Sequence, residues 1–271
     1  MLFIKHFLLA IQFFTRIPIT GRLAAWVGFS PEMLRASAAH FAGVGWVVGM
    51  VAALVYGVFD ALLPSGQHSF FSPLIAACLS TIATVLLTGG FHEDGLADLA
   101  DGLGGSYERD RALEIMKDSR VWAFGAMALV LALLTKIAML AALGELAFWP
   151  VAMLMVSSHV VSRALPMALL ALLPHVGDAA GSKSKPLADS ISSKALFSNI
   201  FWCFGLLPGV FIADAAIEFI AGSGLAFLGW SIMWWRLSKR LQGFTGDALG
   251  ATQQVCEIAF LLGALLVVGA S

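Results

Sequence analysis

Charge is what this chain has least of. Only 12% of its 271 residues are Asp, Glu, Lys or Arg, against 59% hydrophobic, whereas a soluble domain carries about 25% charged residues. So little charge excludes a water-soluble globule of this length, and a mean hydropathy of +0.89 places the chain in the membrane class. The net charge is −1, which excludes nucleic-acid binding by bulk electrostatics. Cysteine is scarce too. Cys78, Cys203 and Cys256 lie singly in apolar stretches, without zinc-ligand or disulfide spacing, and read as small hydrophobes. The N-terminal "MLFIKHFLLAIQFF" lacks a small-x-small cleavage site. It is expected to be retained, lying at or dipping into the membrane surface. There is no convincing internal repeat.

What is abundant is apolar sequence in long runs. A helix needs about 20 apolar residues to cross a bilayer, and in lipid the backbone must satisfy its own hydrogen bonds. Residues 41–59, 69–91 and 195–213 contain no Asp, Glu, Lys or Arg; 121–144 contains only Lys136 and 146–174 only Arg163. Residues 219–235 are slightly short, and 256–271 gives the weakest signal. The expected fold is all-α: a polytopic integral membrane helical bundle of about seven transmembrane helices, forming a single membrane-embedded domain over 1–271. Within it, 1–39 is a cytoplasmic or interfacial segment and 88–120 an acidic active-site segment.

The basic residues give the orientation. With the N-terminus inside, the inner segments 1–39, 92–120, 174–194 and 236–250 hold fourteen of the sixteen Lys and Arg, and the outer connections near 60–69, 144–146 and 214–218 hold none. This is a positive-inside pattern. It predicts a multi-pass protein of the bacterial cytoplasmic (inner) membrane with 92–120 facing the cytoplasm. Residues 174–194, rich in Gly, Ser, Lys and Pro, read as a flexible cytoplasmic connection.

Against that background the acids are concentrated. Eight of the seventeen Asp and Glu lie between 93 and 118. In "GGFHEDGLADLADGLGG" (89–105), Asp94, Asp98 and Asp101 are spaced i, i+4, i+7, one stripe of a helix. Like charges so placed repel, and a divalent cation reverses that; hard oxygen ligands suit Mg²⁺, which combines a few carboxylates with waters and substrate phosphates. Glu93 points elsewhere on the helix, as an outer ligand or a solvated acid. In "RALEIMKDSR" (111–120), Glu114 and Asp118 are candidates to complete the site and to act as base, beside Lys117 and Arg120. With Arg16, these two basic residues are candidate phosphate contacts, around an Mg²⁺–diphosphate centre whose acceptor is an alcohol. His92 is a helix-end residue that could touch substrate. Thr245-Gly246-Asp247 offers a ligand or nucleoside contact, or a plain turn. Lys136 and Arg163, inside spans, either serve the site or form structural ion pairs.

These stretches resemble a known family. "LLTGGFHEDGLADLADGLGG", "RALEIMKDSRVWAFGAMALVLALLTK", the early "FFTRIPI" and the late "GFTGDALGATQQVCE" look like cobalamin synthase, the adenosylcobinamide-GDP ribazoletransferase family, in the same order from about residue 12 to 257. One departure is Glu93, which stands where many members carry Leu. The resemblance implies a membrane transferase in which the ribose hydroxyl of α-ribazole, or of its 5′-phosphate, attacks the phosphorus on the aminopropanol arm of adenosylcobinamide-GDP. GMP leaves, Mg²⁺ is required, and adenosylcobalamin or its 5′-phosphate forms. The implied partners are these substrates and the lipid bilayer, with no nucleic acid; a homo-oligomer is left open. Two alternatives stand beside it. A CDP-alcohol phosphotransferase would carry Ala-Arg within DGxxAR, and "DGLADLADG" has no Arg. A divalent-cation transporter would place acids deep in several spans, where this chain has almost none.

Overall fold

The computed structural model describes residues 1–63, 71–118, 120–177 and 193–268. Among them no β-strand occurs; one isolated bridge joins His175 to Phe244. The helices are α1 (Leu2–Phe14), α2 (Gly21–Val27), α3 (Pro31–Ser37), α4 (Phe41–Leu62), α5 (Phe71–Thr88), α6 (Phe91–Gly105) and α7 (Arg109–Met116). They continue with α8 (Ala123–Leu143), α9 (Phe148–Ala164), α10 (Leu169–Leu172), α11 (Ser193–Phe204), α12 (Leu207–Ile212), α13 (Ala216–Arg240) and α14 (Gly246–Val267). Among the described residues seven stretches are long and apolar enough to cross a membrane: Pro31–Leu62, Phe71–Thr88, Ala123–Leu143, Phe148–Leu172, Ala195–Ile212, Ala216–Arg240 and Gly246–Val267.

The expected seven spans are therefore present, with two boundary changes. The first begins ten residues earlier, at Pro31, because α3 runs through a short 3₁₀ turn (Ala38–His40) into α4. The last begins at Gly246 instead of 256. There Thr245 is the N-cap, its hydroxyl accepting from the Ala248 amide at 3.1 Å. The α14 residues Thr252, Gln253, Gln254 and Glu257 are all buried, a polar face hidden in protein that hydropathy alone does not count as span. The expected connection 174–194 and its Lys183 and Lys185 fall largely outside the described residues, as does most of 60–69.

Small residues let the helices close on one another. A Cβ on Gly45 of α4 would come 2.7 Å from the Cα of Val160 on α9, and one on Gly49 2.7 Å from that of Val156, so these backbones pack in direct contact. The central helix α9 is buried along nearly its whole length. By contrast α8 and α13 present Val130, Leu131, Leu134, Ile220, Phe227 and Leu228 outward, the apolar belt that lipid solvates. Alternation of the spans gathers α6 and α7, the α13–α14 turn and the C-terminus of α1 at one end of the bundle. The backbone hydrogen bond from Arg16 to the Leu87 carbonyl, 2.6 Å, ties α1 there.

Candidate active site

Two glycines open the site. Gly89 and Gly90 both have left-handed backbones, φ 72° and 71°, which a side chain would strain. They end α5 and turn the chain into α6, whose first turn carries Glu93 and Asp94, favourably placed at the positive end of the helix. Arg16, exposed, lies with its guanidinium against Gly89. Asp94 follows five residues after Gly89.

The α14 helix crosses α6 at close range. A Cβ on Gly95 would meet the Asp247 Cα at 2.9 Å and its carbonyl oxygen at 2.7 Å, and one on Gly250 the Cα of His92 at 3.3 Å. This crossing brings Asp247 beside Asp94 and Asp98. Asp94 is exposed and Asp98 half-buried. Partial burial, and then the charges of Asp247, Asp94 and Asp101, raise the Asp98 carboxyl to about 7. A partly buried carboxylate with other carboxylates close by is a place where a cation relieves repulsion.

The other expected ligands are placed differently. Asp101 is 3% exposed, and its two oxygens accept from the Trp122 and Gly125 amides at 2.8 and 2.7 Å. It caps the N-terminus of α8 from a neighbouring helix. Glu93, rotated about 100° from Asp94 by the helical repeat, turns inward, where its Oε1 accepts from Gln254 Nε2 at 3.1 Å. Its Oε2 is buried without a partner. Among the described residues no three His, Cys, Asp or Glu side chains stand in a metal-binding arrangement. Asp94, Asp98 and Asp247 nonetheless suit Mg²⁺ as a donor set, since that ion binds through one or two carboxylates, waters and substrate phosphates.

The α7 candidates lie toward the far end of α6. That helix packs over Gly102, where a Cβ would meet the Ala112 carbonyl at 2.9 Å. Asp118 is gripped by Arg120, with Nη2 to Oδ2 at 2.6 Å and Nε within 3.1 Å of both oxygens; that guanidinium holds its carboxyl at about 2. A group so acidic takes up protons poorly at neutral pH. Glu114, exposed, pairs with Arg111 at 2.8 Å. Both expected bases are thus committed to arginines, and neither contributes to the carboxylate crowding at Asp98. Lys117 is exposed, and Arg120 as a phosphate contact would have to leave Asp118.

Beneath the site lies a buried ionic network. Lys136 of α8 pairs with Glu257 of α14, and His159 Nδ1 lies 3.4 Å from the other Glu257 oxygen. Gln253 Nε2 donates to that same oxygen at 2.6 Å and Gln254 to the Gln253 side chain at 3.0 Å. Arg163 Nη1 donates to the His159 carbonyl at 3.1 Å. Lys136 is thus held in a buried ion pair with Glu257 and Arg163 is bonded to His159, and the helix carrying Asp94 is tied through Glu93 and Gln254 to the core. Sequence reading flagged Lys136 and Arg163 separately; Glu257 and the glutamines that join the network carry no signal of their own.

Two latches that sequence reading missed fix the C-terminal end of α6. Arg240 Nη2 donates to the carbonyls of Leu103 and Ser106 at 3.1 and 2.6 Å, and Arg109 Nε donates to the Leu241 carbonyl at 2.8 Å. Also missed is an aromatic cavity at the first turns of α6 and α14, lined by Phe14, Phe41, Phe91, Phe244 and His92. His92 is 1% exposed, and burial, then Arg163, pushes its imidazole well below the usual histidine range.

The comparisons follow this geometry. A family model described as cobalamin-5-phosphate synthase matches residues 6–265. An adenosylcobinamide-GDP ribazoletransferase of Polaromonas sp. (strain JS666) is 59% identical, covering 96% of each chain. Its counterpart in Albidiferax ferrireducens is 54% identical over 96% of this chain and 97% of the relative. That of Vibrio cholerae is 39% identical over 96% and 92%. No solved structure matches. With a family model and relatives of this identity running over nearly its whole length, the chain belongs to the cobalamin-5-phosphate synthase family.

Proposed function

We propose that this chain transfers the adenosylcobinamide-phosphate group of adenosylcobinamide-GDP to the ribose hydroxyl of α-ribazole or its 5′-phosphate, with release of GMP. The observation that carries the reading, in a member of this family, is the meeting of Asp94 and Asp98 with Asp247 across the α6–α14 crossing. Phosphoryl chemistry asks of a protein mainly positioning and electrostatic stabilisation, and these residues offer both. Asp94, Asp98 and Asp247 would hold Mg²⁺, which when bound supplies positive charge to the phosphate oxygens and the leaving group. Arg16 holds phosphate at the α6 N-terminus. The glycines at 89, 90, 95 and 250 let backbone and substrate approach closely, and the Glu93–Gln254 bond fixes the rotation of α6 that aims the Asp stripe outward.

The protein sits in the bacterial cytoplasmic membrane with this end toward the cytoplasm, the side that the Lys and Arg distribution favours. For the transporter alternative, charge would have to line a path; Lys136 and Glu257 instead close on each other.

Purified protein in detergent, given adenosylcobinamide-GDP, α-ribazole and Mg²⁺, is expected to release GMP and form the cobalamin product, and to do neither in excess chelator. Asp94→Ala and Asp98→Ala should abolish turnover at normal expression. Full turnover in both variants would sink the metal assignment, and no product from wild type on either acceptor would sink the activity.

A further inference from the structure

The aromatic cavity at the start of α6 is built unlike the rest of the site. It is narrow, a cavity of about 40 Å³. Its rings are interlocked. His92 stacks on Phe41 at 5.7 Å and 19°, Phe14 lies 4.4 Å from Phe41, and Phe91 stands edge-on to both His92 and Phe14. Among its lining residues His92 is the one polar side chain, and its Nε2 is buried without a hydrogen-bond partner. A buried imidazole nitrogen left unpaired costs free energy that a hydrogen-bonding ligand would recover; at about 40 Å³ the cavity is smaller than the roughly 150 Å³ that holds a benzene ring, so an aromatic guest enters by parting the rings. The slot also shares elements with the carboxylates: Gly246 and Gly250 line it on the α14 turn that carries Asp247, and Phe14 precedes Arg16 by two residues.

We propose that this slot receives the heteroaromatic base of the acceptor nucleoside, with His92 Nε2–H donating to the free ring nitrogen. The inference rests on the transfer reaction above and names the subsite within it. Two bases flank the phosphates at which the transfer takes place, the acceptor's and the guanine of the leaving nucleotide, and their edges differ. An N-glycosylated benzimidazole carries one free acceptor nitrogen and an otherwise apolar edge. Guanine carries an exocyclic amine, a carbonyl, a ring N–H and a second ring nitrogen. A slot with a single polar atom satisfies the first and would strand several groups of the second, each at a cost in affinity. Pocket chemistry of this type, apolar walls with a few placed polar groups, is the ordinary form of a small-ligand site. With the base held between aromatic rings, its ribose extends toward Asp247 and the phosphates that Arg16 and the carboxylates gather. The slot is then the acceptor's half of the site, and guanine lies outside it.

The test uses full-length protein in detergent and the acceptor nucleoside α-ribazole, whose benzimidazole fluorescence reports binding directly. Titration without Mg²⁺ and without the corrinoid nucleotide should show saturable binding to wild type, unaffected by GMP. His92→Leu and Phe41→Leu should each weaken that binding roughly tenfold or more, and His92→Gln, which keeps an N–H donor, should recover part of it. In turnover, the two leucine variants should raise the KM for α-ribazole while leaving that for adenosylcobinamide-GDP within about twofold. A Phe91→Leu variant gives a second reading if Phe41→Leu does not fold. Displacement of α-ribazole by GMP, or a rise in the KM of the corrinoid nucleotide instead, would overturn the assignment and give the slot to guanine. Unchanged binding in every variant would overturn it as well. Wild type that binds α-ribazole but transfers nothing would contradict the proposed reaction and leave the slot standing.

Discussion

Asp98 holds its proton to about 7 in the folded chain against an ordinary value of 3.8, because burial and then three neighbouring carboxylates oppose its charge. Between those two values the unfolded chain has released a proton that the folded chain keeps. Stability of the metal-free protein therefore falls as pH rises through that window. Thermal melts in detergent with chelator present should show a melting temperature that declines from pH about 4 to about 7. Asp98→Asn should reduce this decline, and Mg²⁺ should raise the curve most at its alkaline end. A flat wild-type profile would mean that burial and like charge together do not hold the Asp98 proton. Glu257 presents the opposite case, a carboxylate fully compensated. Glu257→Gln leaves Lys136 buried beside a neutral group and should cost about 3–5 kcal/mol, measurable as a drop in unfolding midpoint. Adding Lys136→Met to that variant should recover part of the loss.

At the scale of elements, α6 is placed by contacts of different kinds: its glycines against α14, its Glu93 on Gln254, its Asp101 on α8, and its C-terminal carbonyls on Arg240. Asp101→Ala should uncap α8 and cost about 1–2 kcal/mol while leaving the Mg²⁺ dependence of the remaining turnover in place. A large shift in that dependence would return Asp101 to the ligand set. Gly95→Leu, which drives a side chain into the Asp247 backbone, should abolish activity even if the protein accumulates in the membrane. The spacing of Asp94, Asp98 and Asp101 was legible as one helical stripe, and so was the membrane setting. What a stripe cannot say is which neighbour each of its members meets. Asp101 shares the register of Asp94, yet it meets a helix N-terminus 21 residues on. Glu93 adjoins Asp94 in sequence and faces the core. Asp118 and Glu114 had plausible residue types for a base, and only the structure reveals the arginines that occupy them.

For the molecule as a whole, the seven spans and the sidedness of Lys and Arg follow from composition and length, which are summed quantities that survive ignorance of packing. The last span was the hardest to see, because α14 hides Gln253, Gln254 and Glu257 inside the bundle and so reads as less apolar than it is. That same polar face ties the reaction end to the core, from Glu93 through Gln254 and Gln253 to Glu257 and Lys136. The central claim is that the cation site is assembled from α6 and α14 and not from α6 and α7. Its most direct test is the Mg²⁺ dependence of GMP release in Asp247→Asn, set beside Asp118→Asn and Glu114→Gln. Asp247→Asn should lower kcat/KM by about a hundredfold or more and shift the Mg²⁺ midpoint upward, with both α7 variants close to wild type. An Asp247→Asn protein with the wild-type Mg²⁺ curve, alongside a collapsed curve in Asp118→Asn or Glu114→Gln, would contradict it.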